Sequence, residues 1–76
     1  MVRTFRFPDP DAAARFVAHL AEAAVAMNRH PHVTWSGVEV RVLSVTHDAG
    51  DRVTELDHAL MARLETLAAL EAPEGA

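Results

Sequence analysis

Three residues capable of acid–base chemistry lie where helices or strands are expected to begin or end. His30 follows an expected helix, His47 ends an expected strand, and Asp57 lies in the first turn of a second expected helix. An imidazole has an ordinary pKa of about 6.5, which suits proton transfer near neutral pH. Because element ends can converge on one pocket, these residues are candidates for a catalytic site. Simpler interpretations are that Asp57 caps a helix, that His30 is a turn residue and that His47 only ends a strand.

A metal site is the second chemistry that these residue types allow. His30 and His32 are two positions apart, so on an extended chain both could reach a zinc ion together with His47 or Asp57. The chain has no cysteine and no recurrent ligand spacing. It also lacks a glycine-rich phosphate loop and a nucleophile elbow. We therefore expect neither a metal ion nor a cofactor.

The first half of the chain predicts a strand followed by a helix. Residues 2–7 alternate between two faces with β-branched and aromatic members, which is typical of a strand. Asp9 is a favourable helix N-cap, and Pro10 fits the first helical position. The helix is expected from about Pro10 to Met27, before Pro31, which biases the residue preceding it away from helical geometry.

The second half predicts a hairpin and another helix. Residues 32–35 and 38–46 are expected strands around a turn that contains Gly37. The second helix opens with a capping box whose third position is Asp57, and Pro73 is expected to end it. The order β-α-β-β-α indicates one α+β domain over residues 1–76, with both helices on one face of a small antiparallel sheet. Four leucines form the expected buried stripe of this helix: Leu56, Leu60, Leu64 and Leu67.

Composition limits the possible classes of function. Half of the 76 residues are hydrophobic and 24% are charged, as in a globular protein. A net charge of −4 argues against nucleic-acid binding, and no apolar run reaches the about 20 residues of a membrane span. With no signal-peptide core at the start, we expect a cytoplasmic protein. A core this small supports only about 3–5 kcal/mol, and three strands leave two open edges, so a homo-oligomer is expected.

Several short motifs occur together in a characteristic order. They are Phe5-Arg6-Phe7 before an alanine-rich helix, Ala21-Glu22, Arg29-His30-Pro31, Val38-Glu39-Val40, Thr46-His47-Asp48 and Asp57. In combination they resemble the pterin-4a-carbinolamine dehydratase family over about residues 3–64. The resemblance implies an α+β domain whose sheets pair edge to edge into homodimers, often homotetramers. It also implies dehydration of 4a-hydroxytetrahydropterins without metal or coenzyme, with His30, His47 and Asp57 at the positions of the catalytic residues.

One position of this pattern differs in chemistry. Arg29 stands where the family has the first histidine of a pair, and a guanidinium neither releases its proton near neutral pH nor accepts a hydrogen bond. Val25 stands where an acidic residue is usual, and Gly37 where an aromatic one is usual. Trp35 is a candidate to replace that aromatic ring. The expected pocket is therefore lined by Arg29, Pro31 and Trp35.

Two functions follow from the resemblance. In the first, the site is eroded and the chain is a non-catalytic chaperone, similar to the pterin-dehydratase-like RuBisCO assembly factors of α-carboxysomes, with the RuBisCO large subunit as its partner. In the second, the chain is an active 4a-hydroxytetrahydrobiopterin dehydratase, a lyase of pterin recycling that binds a pterin. There His30 and His47 share proton transfer, and Asp57 orients one of them. The loss of a titratable ring at Arg29 favours the first function.

Overall fold

The computed structural model describes residues 1–46, 50 and 52–71. Its element order is the predicted β-α-β-β-α, with two strands shorter than the periodicity predicts. The expected helix stop at Pro73 lies outside the described residues. The elements are β1 (Val2–Arg6), α1 (Pro10–Ala26), β2 (His32–Ser36), β3 (Glu39–Leu43) and α2 (Glu55–Glu71).

The three strands form one antiparallel sheet in the order β1-β3-β2. Phe5 of β1 and Trp35 of β2 both pair with Val40 of β3, so the three side chains share the inner face. Thr4 and Arg41 belong to the opposite, exposed face. The period-2 pattern of the sequence therefore predicts correctly which side of the sheet is covered.

Both helices pack on the inner face and bury a small aromatic and aliphatic core. The ring of Phe16 in α1 lies 5.0 Å from that of Phe5 and 4.9 Å from that of Phe7. Leu56 does not join this core: its side chain is 54% exposed, because the buried stripe of α2 starts one position later. The fully buried large side chains are Phe16, Val40, Val42, Asp57, Leu60 and Leu64.

The C-terminus of α1 is closed by a Schellman motif four residues before Pro31. Asn28 takes the left-handed conformation with a φ of 56°. Its N–H donates to Val25 O at 3.1 Å, and the N–H of Arg29 donates to Ala24 O at 2.8 Å. Both bonds satisfy carbonyl groups that the end of a helix leaves unpaired. The helix therefore ends by its own backbone geometry, and Pro31 acts later, on the connection to β2.

The edge strand β2 extends beyond the helical layer. Val33 and Trp35 point to the inner face, yet they are 37% and 48% exposed. The other three residues of β2 are exposed as well. Between β2 and β3, Gly37 takes a φ of 59°, which glycine adopts without steric cost. No helix among residues 1–46, 50 and 52–71 is long and apolar enough to cross a membrane.

Candidate functional site

The end of α1, the extension of β3 and the start of α2 meet around the carboxylate of Asp57. This side chain is fully buried, with 0% exposure. The backbone N–H of Thr54 donates to its Oδ2 at 2.9 Å, as expected for a capping box with an aspartate at the third helical position. The cap prediction is confirmed, and it accounts for one of the contacts that the carboxylate makes.

Hydroxyl groups of the β3 extension provide further contacts to Asp57. Ser44 Oγ lies 2.5 Å from Oδ1, and Thr46 Oγ1 donates to Oδ2 at 2.7 Å. Both side chains are buried because they continue the inward register of Val40 and Val42. A buried hydroxyl group needs a hydrogen-bond partner, and the buried carboxylate provides one for both hydroxyls.

The guanidinium of Arg29 completes this buried cluster from the end of α1. Its Nη2 lies 3.2 Å from Asp57 Oδ1, 2.9 Å from Thr46 Oγ1 and 3.2 Å from the carbonyl oxygen of Val45. The Arg29 side chain is only 13% exposed. Arg29 therefore points into the fold and binds the carboxylate 28 residues further along the chain. We call Arg29, Ser44, Thr46, Thr54 and Asp57 the Asp57 cluster.

The direction of the hydrogen bonds in the Asp57 cluster follows from the chemistry of its ends. A guanidinium has no acceptor and an ionised carboxylate has no donor. Thr46 Oγ1 must therefore accept from Arg29 and donate to Asp57. Since the Thr46 hydroxyl has a single proton, the 2.7 Å contact between Thr46 Oγ1 and Thr54 Oγ1 is donated by Thr54. These bonds form without any proton that has to move, and the buried Nε of Arg29 is left without a hydrogen-bond partner among the described residues.

The environment of Asp57 fixes its protonation state. Burial alone raises the pKa of a carboxyl group. The pKa of Asp57 is nevertheless held far below its usual value, because the carboxylate accepts hydrogen bonds from Ser44, the Thr54 backbone and Thr46 and lies beside the charge of Arg29. The group is therefore a permanent anion near neutral pH. It supports its surroundings, and it is not a proton donor or acceptor for a substrate at that pH.

His30 lies immediately outside the Asp57 cluster. Its side chain is exposed, and its ring forms no hydrogen bond with any residue in the part of the chain that the structure describes. Pro31 is half-buried beside it. His30 is thus accessible from solvent. The other candidate histidine, His47, lies outside the described residues.

Trp35 lies at the opposite end of β2 from His30. Its Nε1 donates to the carbonyl oxygen of Gly37 at 2.8 Å, so the indole is fixed to the hairpin loop. Three residue steps along the strand, about 10 Å, separate it from His32 at the start of β2. The structure therefore brings together Arg29 and Asp57 among the predicted site residues, with His30 and Pro31 adjoining them, and Trp35 lies apart.

The hydroxyl partners of Asp57 were missed by the sequence reasoning. Ser44 and Thr46 continue the alternation of Val40 and Val42, so they lie on the buried face of the chain. Two polar residues at positions expected to be buried could have indicated a buried polar partner. Concerning the metal question, the described ranges contain no group of three or more His, Cys, Asp or Glu side chains arranged to hold a metal ion.

Comparisons with known proteins agree with this architecture. The family model for pterin 4 alpha carbinolamine dehydratase matches residues 1–67. A protein of Chloroflexus aggregans that is provisionally named pterin-4-alpha-carbinolamine dehydratase is 42% identical over 67 residues, which are 88% of this chain and 70% of that one. A protein of Streptomyces avermitilis with the same provisional name is 39% identical over 66 residues, or 87% and 65% of the two chains.

Solved structures show the same fold. A transcriptional coactivator/pterin dehydratase from Brucella melitensis superimposes with a TM-score of 0.82 at 31% identity, covering 88% of this chain and 70% of that one. A pterin dehydratase-like protein identified as a RuBisCO assembly factor in the alpha-carboxysome gives 0.75 at 22% identity, with coverage of 88% and 76%. This second likeness shows the fold alone.

The fold and these matches define a pterin dehydratase-like α+β domain. With the family model matching 67 of its 76 residues, the chain belongs to the pterin-4-alpha-carbinolamine dehydratase family.

Proposed function

We propose that the chain is an active 4a-hydroxytetrahydropterin dehydratase. The observation that supports this is the inward position of Arg29. Its guanidinium is bound to Asp57 and leaves the neighbouring His30 exposed. An arginine held in this way does not compete with a substrate for the His30 ring. The names of the relatives at about 40% identity point to the same reaction.

The reaction removes water from the substrate in two proton transfers. A base takes the proton of a ring nitrogen, the electron pair forms the new C=N bond, and the C4a–O bond breaks. An acid protonates the departing hydroxyl, so the products are a quinonoid dihydropterin and water. Two imidazoles can supply these roles near neutral pH, and His30 and His47 are the proposed pair. Asp57 acts indirectly, as a buried anion that holds Arg29.

The decisive experiment is a dehydration assay with the purified chain and a 4a-hydroxytetrahydropterin. We expect turnover by the unmodified protein and a loss of about 10²-fold in kcat for His30→Gln, since general acid–base catalysis contributes about 10²–10⁴-fold. His58→Gln is the matched control, because His58 is an exposed histidine on α2. No acceleration by the unmodified chain, or equal rates for the two variants, would contradict the proposal.

A non-catalytic assembly factor is the second candidate, supported by the exposed apolar side chains of β2. Val33 and Trp35 offer a surface that a protein partner could cover, and Arg29 leaves the site with one titratable ring fewer than the family pattern has. This function predicts that the chain co-purifies with the RuBisCO large subunit and raises the yield of soluble RuBisCO on co-expression. Those results together with an inactive pure protein would establish the second candidate over the first.

A second copy of the chain is the proposed occupant of the open edge of β2. This five-residue strand contains no Asp, Glu, Lys, Arg or Pro to discourage pairing with another strand. A small core also needs additional stabilisation, which pairing would supply. Sedimentation at micromolar concentration is expected to give a dimer or a tetramer. Thr34→Pro is expected to weaken this association. A stable folded monomer would disprove this part of the proposal.

A further inference from the structure

Arg29 is held by both its backbone and its side chain, directly before His30. Its N–H closes the Schellman motif by donating to Ala24 O at 2.8 Å. Its guanidinium is bound to Thr46 and Asp57, which belong to two other segments of the fold. The peptide unit that leads into His30 is therefore fixed relative to the β3 extension and to α2.

The backbone of His30 is also restrained from its C-terminal side. Pro31 has a fixed φ of about −65°, and it confines the preceding residue to extended conformations. His32 then enters the hydrogen-bonded pairing of β2 with β3. His30 thus lies between an anchored arginine and a rigid proline, and the freedom of its ring is reduced to side-chain rotation. Such restraint places a proton-transfer group accurately.

We propose that Arg29 is a positioning residue for His30, acting through the Asp57 cluster. The effect of Arg29 on kinetics rests on the proposed dehydratase function. Its effect on the order of His30 rests on the structure alone. The inference differs from the expectation from the sequence, in which Arg29 deprives the site of a titratable ring and so favours a non-catalytic function.

The length and the permanent charge of the arginine side chain explain why a histidine cannot take its place and a lysine can do so only in part. One nitrogen, Nη2, reaches Val45 O, Thr46 Oγ1 and Asp57 Oδ1 together. A histidine side chain is shorter and is protonated only in part near neutral pH. A lysine keeps the charge, but its ammonium group is more compact than the guanidinium that carries Nη2. We therefore expect Arg29→His to release the cluster and Arg29→Lys to preserve part of it.

The first arm of the test is steady-state kinetics. For Arg29→His we expect kcat to fall about 10- to 100-fold, with KM changed much less, because misplacement by about 1 Å can cost 10²-fold. Arg29→Lys should retain an intermediate kcat. Arg41→His is the matched control, since Arg41 is exposed on the outer face of the sheet, and its kcat should equal that of the unmodified chain. A rise in kcat for Arg29→His would overturn the inference.

The second arm is NMR, which does not depend on turnover. In Arg29→His we expect the backbone amide of His30 to show a lower heteronuclear NOE, with no such decrease in Arg41→His. If Arg29→His does not fold, the same comparison is made with Arg29→Lys. An unchanged heteronuclear NOE of His30 in a folded variant would overturn the inference even if stability fell. If the unmodified chain shows no turnover, the proposed function fails, and this arm still decides the role of Arg29.

Discussion

Replacing Asp57 by asparagine tests whether the buried ion pair holds the fold together. The substitution keeps the volume of the side chain but removes its charge. Arg29 would then be left 13% exposed with no carboxylate opposite it. The two carboxylate oxygens accept hydrogen bonds from Ser44, Thr46 and Thr54. In Asp57→Asn one of these oxygens is replaced by an amide NH₂ group, which would face hydrogen-bond donors and accept none.

The expected loss is large relative to the stability of such a small domain. Removing one partner of a buried ion pair costs about 3–5 kcal/mol, because the remaining charge is buried without compensation. A chain of 76 residues is stabilised by about 4–11 kcal/mol in total, from about 0.05–0.15 kcal/mol per residue. Asp57→Asn should therefore remove about a quarter or more of the free energy of unfolding. The double variant Arg29→Met/Asp57→Asn should lose less than the sum of the single losses, since it leaves no unpaired charge.

The assay is urea unfolding followed by far-UV circular dichroism at pH 7 and one fixed protein concentration, because association would make the apparent stability concentration-dependent. Asp11→Asn is the control, as it removes an exposed carboxylate from the first turn of α1. We expect it to cost less than about 1 kcal/mol. If Asp57→Asn costs no more than Asp11→Asn, or if the losses of the double variant simply add, the ion pair does not hold the segments together.

Three further predictions concern acid stability and the two ends of α1. The fold lowers the pKa of Asp57, so the ionised carboxylate stabilises the protein at pH values above the unfolded pKa of about 3.9. This contribution is lost as the pH falls below that value. Between pH 7, 4 and 2.5 the free energy of unfolding should therefore decrease less in Asp57→Asn than in the unmodified chain. Asn28 has a φ of 56°, which glycine adopts more easily than alanine. In thermal unfolding, Asn28→Ala should therefore lower the stability by about 1 kcal/mol, and Asn28→Gly should leave it unchanged or raise it. Asp9→Ala should cost about 0.5–2 kcal/mol in the same assay, because Ala12 N–H loses the acceptor it contacts at 2.8 Å.

The architecture was predictable because its determinants are local. The alternation around Phe5 identifies the inner face of β1, and Asp9 with Pro10 marks the start of α1. Gly37 provides the positive φ of the hairpin loop. Each of these signals acts within a few residues, where propensity and periodicity are informative. The same reasoning misplaced Leu56, because the i, i+4 spacing of leucines does not specify which of two adjacent stripes faces the core.

The Asp57 cluster was not predictable because its determinants are distant in the sequence. Capping chemistry identifies Thr54 and Asp57 as partners, three residues apart. Nothing local indicates that Arg29 binds the same carboxylate from 28 positions away. The buried register of Ser44 and Thr46 required the pairing of β3 to be known first. The partner of such a group cannot be identified from the chemistry of the group alone.

The buried carboxylate explains why an arginine is well suited to position 29 in this chain. Asp57 has no exposure to solvent, and an uncompensated charge there would cost several kcal/mol. An imidazole could compensate it only while protonated, which would make the stability of the fold depend on pH near neutrality. A guanidinium compensates it at every physiological pH. Charge balance around Asp57 is then independent of pH near neutrality.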